Sequence, residues 1–201
     1  VEGAIDEFEL AGAAPQQLSL NAHFQHGRLF PALSSGGDLL AGEVTAASTD
    51  FSRSLVFSVG CHSGLNVPGG AADWAQAFAR KKATLIAGTG YQYGDTDFLE
   101  YSERLYRNFA RNLRAGTGAI AVGEALVRAK LDYLAATPDI RGIHEKALLE
   151  STLFGLPMLG VDMPAGRGAV ASNQGTITPV AVASGPAATL GLRTYTLSVA
   201  P

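Results

Sequence analysis

The sequence predicts an α/β fold built on a mainly parallel sheet. Three observations carry this. Short apolar, β-rich runs alternate with helix-length segments between residues 17 and 161. One run, Ser54–Gly60 (SLVFSVG), is apolar enough for a strand buried on both faces. The segment after it, Ala71–Lys81, has apolar residues at 71, 74, 75, 78 and 79, the stripe of an amphipathic helix.

Residues 1–15 end in Gly-Ala-Ala-Pro and read as a lead-in. Gln17–Phe24 alternates apolar and polar side chains, as a strand does, and runs into the polar turn Gln25-His26-Gly27. A loop at Ser34–Asp38 precedes a short helix over Leu39–Ala47. After Ser54–Gly60 comes a turn at Asn66–Gly70. The helix 71–81 then carries Asp73 in its first turn and Lys81 at its end, charges suited to its dipole. Ala83–Ala87 is the third strand and Gly88–Thr96 a loop. Phe98–Leu113 repeats apolar residues at 98, 101, 105, 109 and 113, a helical spacing. Asp97 is the better N-cap for it and Asp95 the other choice, while Glu100 and Glu103 sit where first-turn carboxylates belong. Helices follow over Ala119–Leu134, stopped by Pro138, and over Ile143–Phe154, before a strand at Leu156–Val161.

The character changes after residue 163. Segment 164–201 reads as a Gly/Ala/Pro linker and then a β-rich hairpin, Thr176–Ala183 and Thr189–Val199 around Ser184-Gly185-Pro186. The expected organisation is one domain over 1–163 and a β-rich segment over 164–201.

Composition removes several function classes. The 201 residues include 24 Gly and one Cys, and only 16% are charged, against about 25% in an average soluble domain. One Cys builds neither a disulfide scaffold nor a Cys-rich zinc or iron–sulfur site. Net charge is −3, and the only basic run is Arg80-Lys81-Lys82, so no nucleic-acid partner is expected. No apolar run reaches roughly 18 residues, so no membrane span is expected. The acidic first residues show no signal-peptide pattern.

In open α/β sheets the loops at the carboxyl ends of the strands form the binding crevice. His26-Gly27 follows the first strand, Cys61 the second and Gly88–Thr96 the third, so all three loops are expected on one edge. Cys61 is the candidate nucleophile, and an imidazole at an adjacent loop tip activates such a thiol. His26 is the candidate general base and acid. The Gly27 and Cys61 amides are the candidate oxyanion donors. Gly60 and Gly64 allow a sharp turn that exposes the sulfur.

The rival for Cys61 is a buried core thiol, and for a lone His a structural hydrogen bond. His23 supports or replaces His26; His26 is preferred because a glycine follows it. His62 adjoins Cys61 and is expected to point away from it. Tyr91 and Tyr93 are candidate walls of a substrate pocket, with Asp95 a candidate partner for a basic side chain. Trp74 is expected in the core. A zinc site from His23, His26, His62 and Cys61 is the competing chemistry. The spacing of His23 and His26, three apart in extended or turn geometry, opposes it, and no metal is expected.

These residues carry a resemblance. A strand ending in His26-Gly27, then an apolar strand ending in Gly60-Cys61-His62-Ser63-Gly64, resembles the clan of cysteine peptidases that holds caspases, legumain, separase and gingipains. The downstream half is most similar to gingipain-like bacterial peptidases, down to the element Leu153-Phe154-Gly155-Leu156-Pro157. The resemblance covers roughly residues 17–161. It implies a caspase-like three-layer sandwich, with the first strands and helices of the catalytic domain missing and an immunoglobulin-like module beginning in 164–201. It implies a cysteine endopeptidase working through a Cys61–His26 dyad, without a cofactor, on protein or peptide substrates. Basic P1 residues, further domains in a longer polypeptide and a secreted or cell-envelope setting also follow from it. The alternative is a peptidase-like binding or scaffold module without activity.

Overall fold

The computed structural model describes residues 16–30, 37–69, 72–115 and 118–163. The lead-in 1–15 and the linker and hairpin expected over 164–201 lie outside the described residues.

The first strand, β1 (Gln17–Ser19), is shorter than expected. The chain leaves it at Leu20–Ala22 and enters a separate antiparallel sheet of β2 (His23–Gln25), β3 (Arg28–Phe30) and β4 (Leu39–Leu40). The strand expected over 17–24 is thus two strands in two sheets. Hydrogen bonding explains the break. The Leu20 N–H still donates to the Phe57 carbonyl (2.9 Å). One residue later the Asn21 side chain takes over, its Oδ1 accepting from the Val59 N–H (3.2 Å). The backbone is then free to turn into the hairpin. The expected 39–47 helix also starts late, because Leu39 and Leu40 pair with Leu29 and Arg28. It becomes α1 (Ala41–Ala46).

β5 (Leu55–Phe57) is followed by α2 (Trp74–Arg80) and β6 (Thr84–Gly88). Asp73 is the N-cap of α2. Its buried carboxylate accepts from the Gln76 N–H (2.8 Å), the Val67 N–H (2.7 Å) and the Gln76 and Asn66 side-chain amides. Next come α3 (Tyr101–Leu113), β7 (Ile120–Ala121) and α4 (Val122–Ala135). Asp97 does not cap α3, which begins at Tyr101 with Glu100 in the cap position. Asp95 instead closes a local turn, its Oδ1 accepting from the Asp97 and Phe98 N–H groups (2.8 and 3.0 Å). The chain ends in α5 (Ile143–Glu150), β8 (Ser151–Phe154) and β9 (Gly160–Val161). The helix expected over 143–154 stops at Glu150 because Ser151–Phe154 pairs with β6. The strand expected over 156–161 shrinks to two residues and pairs with β7, away from the main sheet.

The main sheet runs β1-β5-β6-β8, parallel except for β8. Its side chains alternate between two cores, as strand geometry requires. Val56, Leu85 and Ala87 face Val44, Trp74 and Phe78 of α1 and α2. Leu55, Phe57 and Ile86 face Leu105, Phe109, Ala125, Tyr133 and Leu148 of α3, α4 and α5. Helices therefore cover both faces of a mixed, mostly parallel sheet, and β5 is buried on both sides as its sequence predicts. Trp74 is core, 1% exposed and edge-on to Phe24 at 5.4 Å. Burying one such side chain is worth about 1.5–3 kcal/mol.

Candidate active site

Two of the three expected loops meet closely. After β5 the chain turns at Gly60–Gly64, where the Ser63 N–H and hydroxyl both donate to the Gly60 carbonyl (3.3 and 2.7 Å). This turn is laced to the loop after β6. The His62 N–H donates to the Gly90 carbonyl (2.7 Å) and the Gly64 N–H to the Gly88 carbonyl (2.9 Å). The Cys61 sulfur lies between the backbone groups of Gln92, accepting from its N–H at 3.4 Å and lying 3.7 Å from its carbonyl oxygen. Cys61 is half-buried. Among the described residues its own N–H has no protein hydrogen-bond partner.

The left-handed residue of this turn is His62, at φ 58°. A side chain there is uncommon and stores backbone strain, a feature that clusters at active sites. The adjacent glycines serve a different purpose from the one expected. They make room rather than supply positive φ. A Cβ on Gly60 would lie 2.1 Å from the Phe24 ring and 3.0 Å from the Ala22 carbonyl oxygen. One on Gly64 would lie 2.9 Å from the Ala87 backbone. The His62 ring packs edge-on against Tyr91, with centroids 4.5 Å apart.

The third loop is organised differently. His26-Gly27 is the two-residue turn of the β2–β3 hairpin, where Gln25 pairs with Arg28, and not a loop on the main sheet. Backbone bonds anchor it to two helix starts. The His26 carbonyl accepts from the Trp74 N–H (3.0 Å), and the Gly27 carbonyl from the Ala41 N–H (2.9 Å). A Cβ on Gly27 would sit 3.0 Å from the Ala72 carbonyl oxygen. Both His23 and His26 are exposed.

β1 and β5 pair Gln17 with Leu55 and Ser19 with Phe57. Beyond them the Asn21 side chain bonds to Val59 and Ala22 lies against Gly60, while His23 belongs to the separate sheet of β2 and β3. Neither contact of the sulfur is with an imidazole, since both are with Gln92. The structure thus brings Cys61, His62 and Tyr91 together and leaves His26 and Gly27 on the hairpin turn.

The rest of the loop after β6 lines the same edge. Tyr91 is 61% exposed. Tyr93 is held by a pair of bonds to Ser102 (3.1 and 3.0 Å), and its hydroxyl lies 3.5 Å from Lys146 Nζ. Asp95 is exposed, with one carboxylate oxygen in its own turn. Among the described residues no three His, Cys, Asp or Glu side chains gather to hold a metal, so the His23, His26, His62 and Cys61 grouping does not form. No described helix is long and apolar enough to cross a membrane.

Sequence reasoning missed Gln92, whose backbone holds the sulfur, and Glu150, whose carboxylate lies against Gly90. The Gly88-Thr89-Gly90 spacing was the available signal, since paired glycines often mark a close approach. No protein-family model matches the chain, and no significant match exists among curated proteins or solved structures.

Proposed function

We propose that residues 1–163 form a catalytic domain of the caspase and gingipain kind, and that the chain is a cysteine endopeptidase with Cys61 as its nucleophile. The observation that carries this reading is the Cys61 turn. A half-buried sulfur sits at the carboxyl ends of parallel strands, beside a residue at positive φ, and its own backbone N–H has no partner among the described residues. That is what an acyl-transfer site requires of a nucleophile and its oxyanion donor.

The thiolate adds to the scissile carbonyl and the developing oxyanion accepts from the Cys61 N–H. The protonated imidazole then gives its proton to the leaving amine as the C–N bond breaks. Water, deprotonated by the same imidazole, hydrolyses the thioester. We assign this base to one of the two exposed imidazoles of the β2–β3 hairpin, His26 in preference to His23 because a glycine follows it. Gly27 lies on the hairpin turn, so the reading leans on the Cys61 amide alone for the oxyanion.

The test is hydrolysis of a broad peptide library together with labelling of Cys61 by iodoacetamide. Wild type is expected to show both and Cys61→Ala neither. A wild-type chain inert toward the library, with an unreactive Cys61, would overturn the peptidase reading in favour of a peptidase-like binding module.

A further inference from the structure

The loop after β6 is pinned on both sides of the residue that holds the sulfur. Before Gln92, the Thr89 N–H and hydroxyl donate to the Glu150 carbonyl of α5 (2.9 and 3.3 Å). After it, Tyr93 is bonded twice to Ser102 in the first turn of α3. The Ser102 N–H donates to the Tyr93 carbonyl (3.0 Å), and the Ser102 hydroxyl accepts from the Tyr93 N–H (3.1 Å). Ser102 is fully buried. Between the two pins lies Gln92, whose N–H and carbonyl bracket the Cys61 sulfur.

The residue before Ser102 is strained. Tyr101 has φ 51°, a left-handed conformation that a bulky side chain rarely adopts. Such strain persists only where the surroundings over-determine it, and it clusters at functional sites. Here the Tyr101 ring packs on the His144 ring of α5, with centroids 5.0 Å apart. His144 Nδ1 is in turn bonded to the Tyr133 hydroxyl of α4 (2.7 Å), and Tyr133 is fully buried. Side chains of α4 and α5 therefore hold Tyr101 in a costly conformation, next to the residue that grips Tyr93.

We infer that Tyr101 and Ser102 are positioning residues for the nucleophile: the strained turn and its paired bonds to Tyr93 fix the Gln92 backbone, and through it the direction of the Cys61 sulfur. Neither residue contacts the sulfur itself. A reacting atom misplaced by about 1 Å loses roughly 100-fold in rate, so a clamp next to the sulfur's own partner is well placed to matter. Its part in a reaction rests on the peptidase reading, but its hold on the thiol can be tested apart from it.

The test reads the thiol by iodoacetamide labelling of Cys61, and the reaction by kcat and KM on a peptide that wild type cleaves. Ser102→Ala removes the acceptor of the Tyr93 N–H. It is expected to slow labelling about 5-fold, because an N–H donor held on sulfur favours the thiolate, the form that reacts. It is expected to lower kcat about 10-fold with KM within about two-fold. Tyr101→Ala and Tyr101→Gly both lose the ring, but only glycine adopts positive φ without strain. Tyr101→Gly is therefore expected to label and turn over several-fold faster than Tyr101→Ala. A role for the ring alone would leave the two alike or favour alanine, the better helix former.

Slower labelling in Ser102→Ala of a chain that cleaves no peptide would keep the clamp and sink the peptidase. Ser102→Ala with wild-type labelling and kcat, in a chain that does cleave, would sink the clamp and keep the peptidase. A Ser102→Ala protein that melts lower and changes only KM, or a Tyr101→Gly protein no faster than Tyr101→Ala, would make the contact structural and overturn the inference. An unreactive Cys61 in wild type would overturn both readings.

Discussion

The turn around Cys61 and the hairpin that carries the histidines lie side by side but are held by different means. The turn is fixed by backbone. His62, Gly64 and Gln92 each bind across to the neighbouring loop or sulfur through main-chain atoms, and Gly60 and Gly64 leave no space for a Cβ. The hairpin is fixed by the carbonyls of Gln25, His26 and Gly27, which take bonds from Trp74 and Ala41, while its imidazoles stand exposed. The difference teaches that the two halves of the proposed site are positioned by different means: main-chain bonds hold the sulfur's turn, whereas the hairpin's backbone is anchored and its imidazoles are exposed.

Four substitutions would break or sharpen this contrast. The largest effect is expected at the base. His26→Ala should lower kcat/KM by roughly 10²–10⁴-fold, while His23→Ala stays within a few-fold, both read on a peptide that wild type cleaves. The opposite pattern would move the base to His23, and indifference to both would break the proposed pairing. Gly60→Ala comes next. Its Cβ would enter the Phe24 ring, which Trp74 backs, so a loss of about 1–3 kcal/mol in urea unfolding is expected. Activity should fall with it, because the hairpin is pushed from the turn; a variant of unchanged stability would show that the two regions are less tightly joined than the contacts imply. The smallest effect is expected at Asp73→Ala. Losing the α2 cap should cost about 1–2 kcal/mol by the same measurement, with kcat near wild type, since this carboxylate organises Val67–Gln76 and does not touch the sulfur. A collapse in kcat would mean that the start of α2, on which the His26 turn rests, also sets the chemistry.

Much of the fold was legible because local signals agreed with it. Val56 and Leu85 on one face and Leu55 and Ile86 on the other are what a doubly buried parallel strand looks like in sequence. Asp73 and the apolar stripe from Trp74 to Phe78 announced α2. Boundaries went astray where a partner strand intervened. Leu39-Leu40 and Ser151–Phe154 were read as helix because their apolar spacing suits either state, and only pairing with β3 and β6 makes them extended. Of the candidate site, Cys61 and the Tyr91 loop were legible as residues at strand ends. The placement of His23 and His26 on a separate hairpin was not, because it depends on where the chain leaves one sheet for another.

By itself the sequence determined an α/β chain with alternating buried strands and one thiol at the end of the most apolar strand. Periodicity, composition and residue count suffice for these, being local or summed properties. Tertiary structure alone decided that Asn21 ends β1, that His23 and His26 fall on a hairpin of a separate sheet, and that Gln92 and Glu150 crowd two glycines with unpartnered polar atoms. Each of these depends on residues far apart in the chain, and pairing at that distance leaves no periodic trace in the sequence.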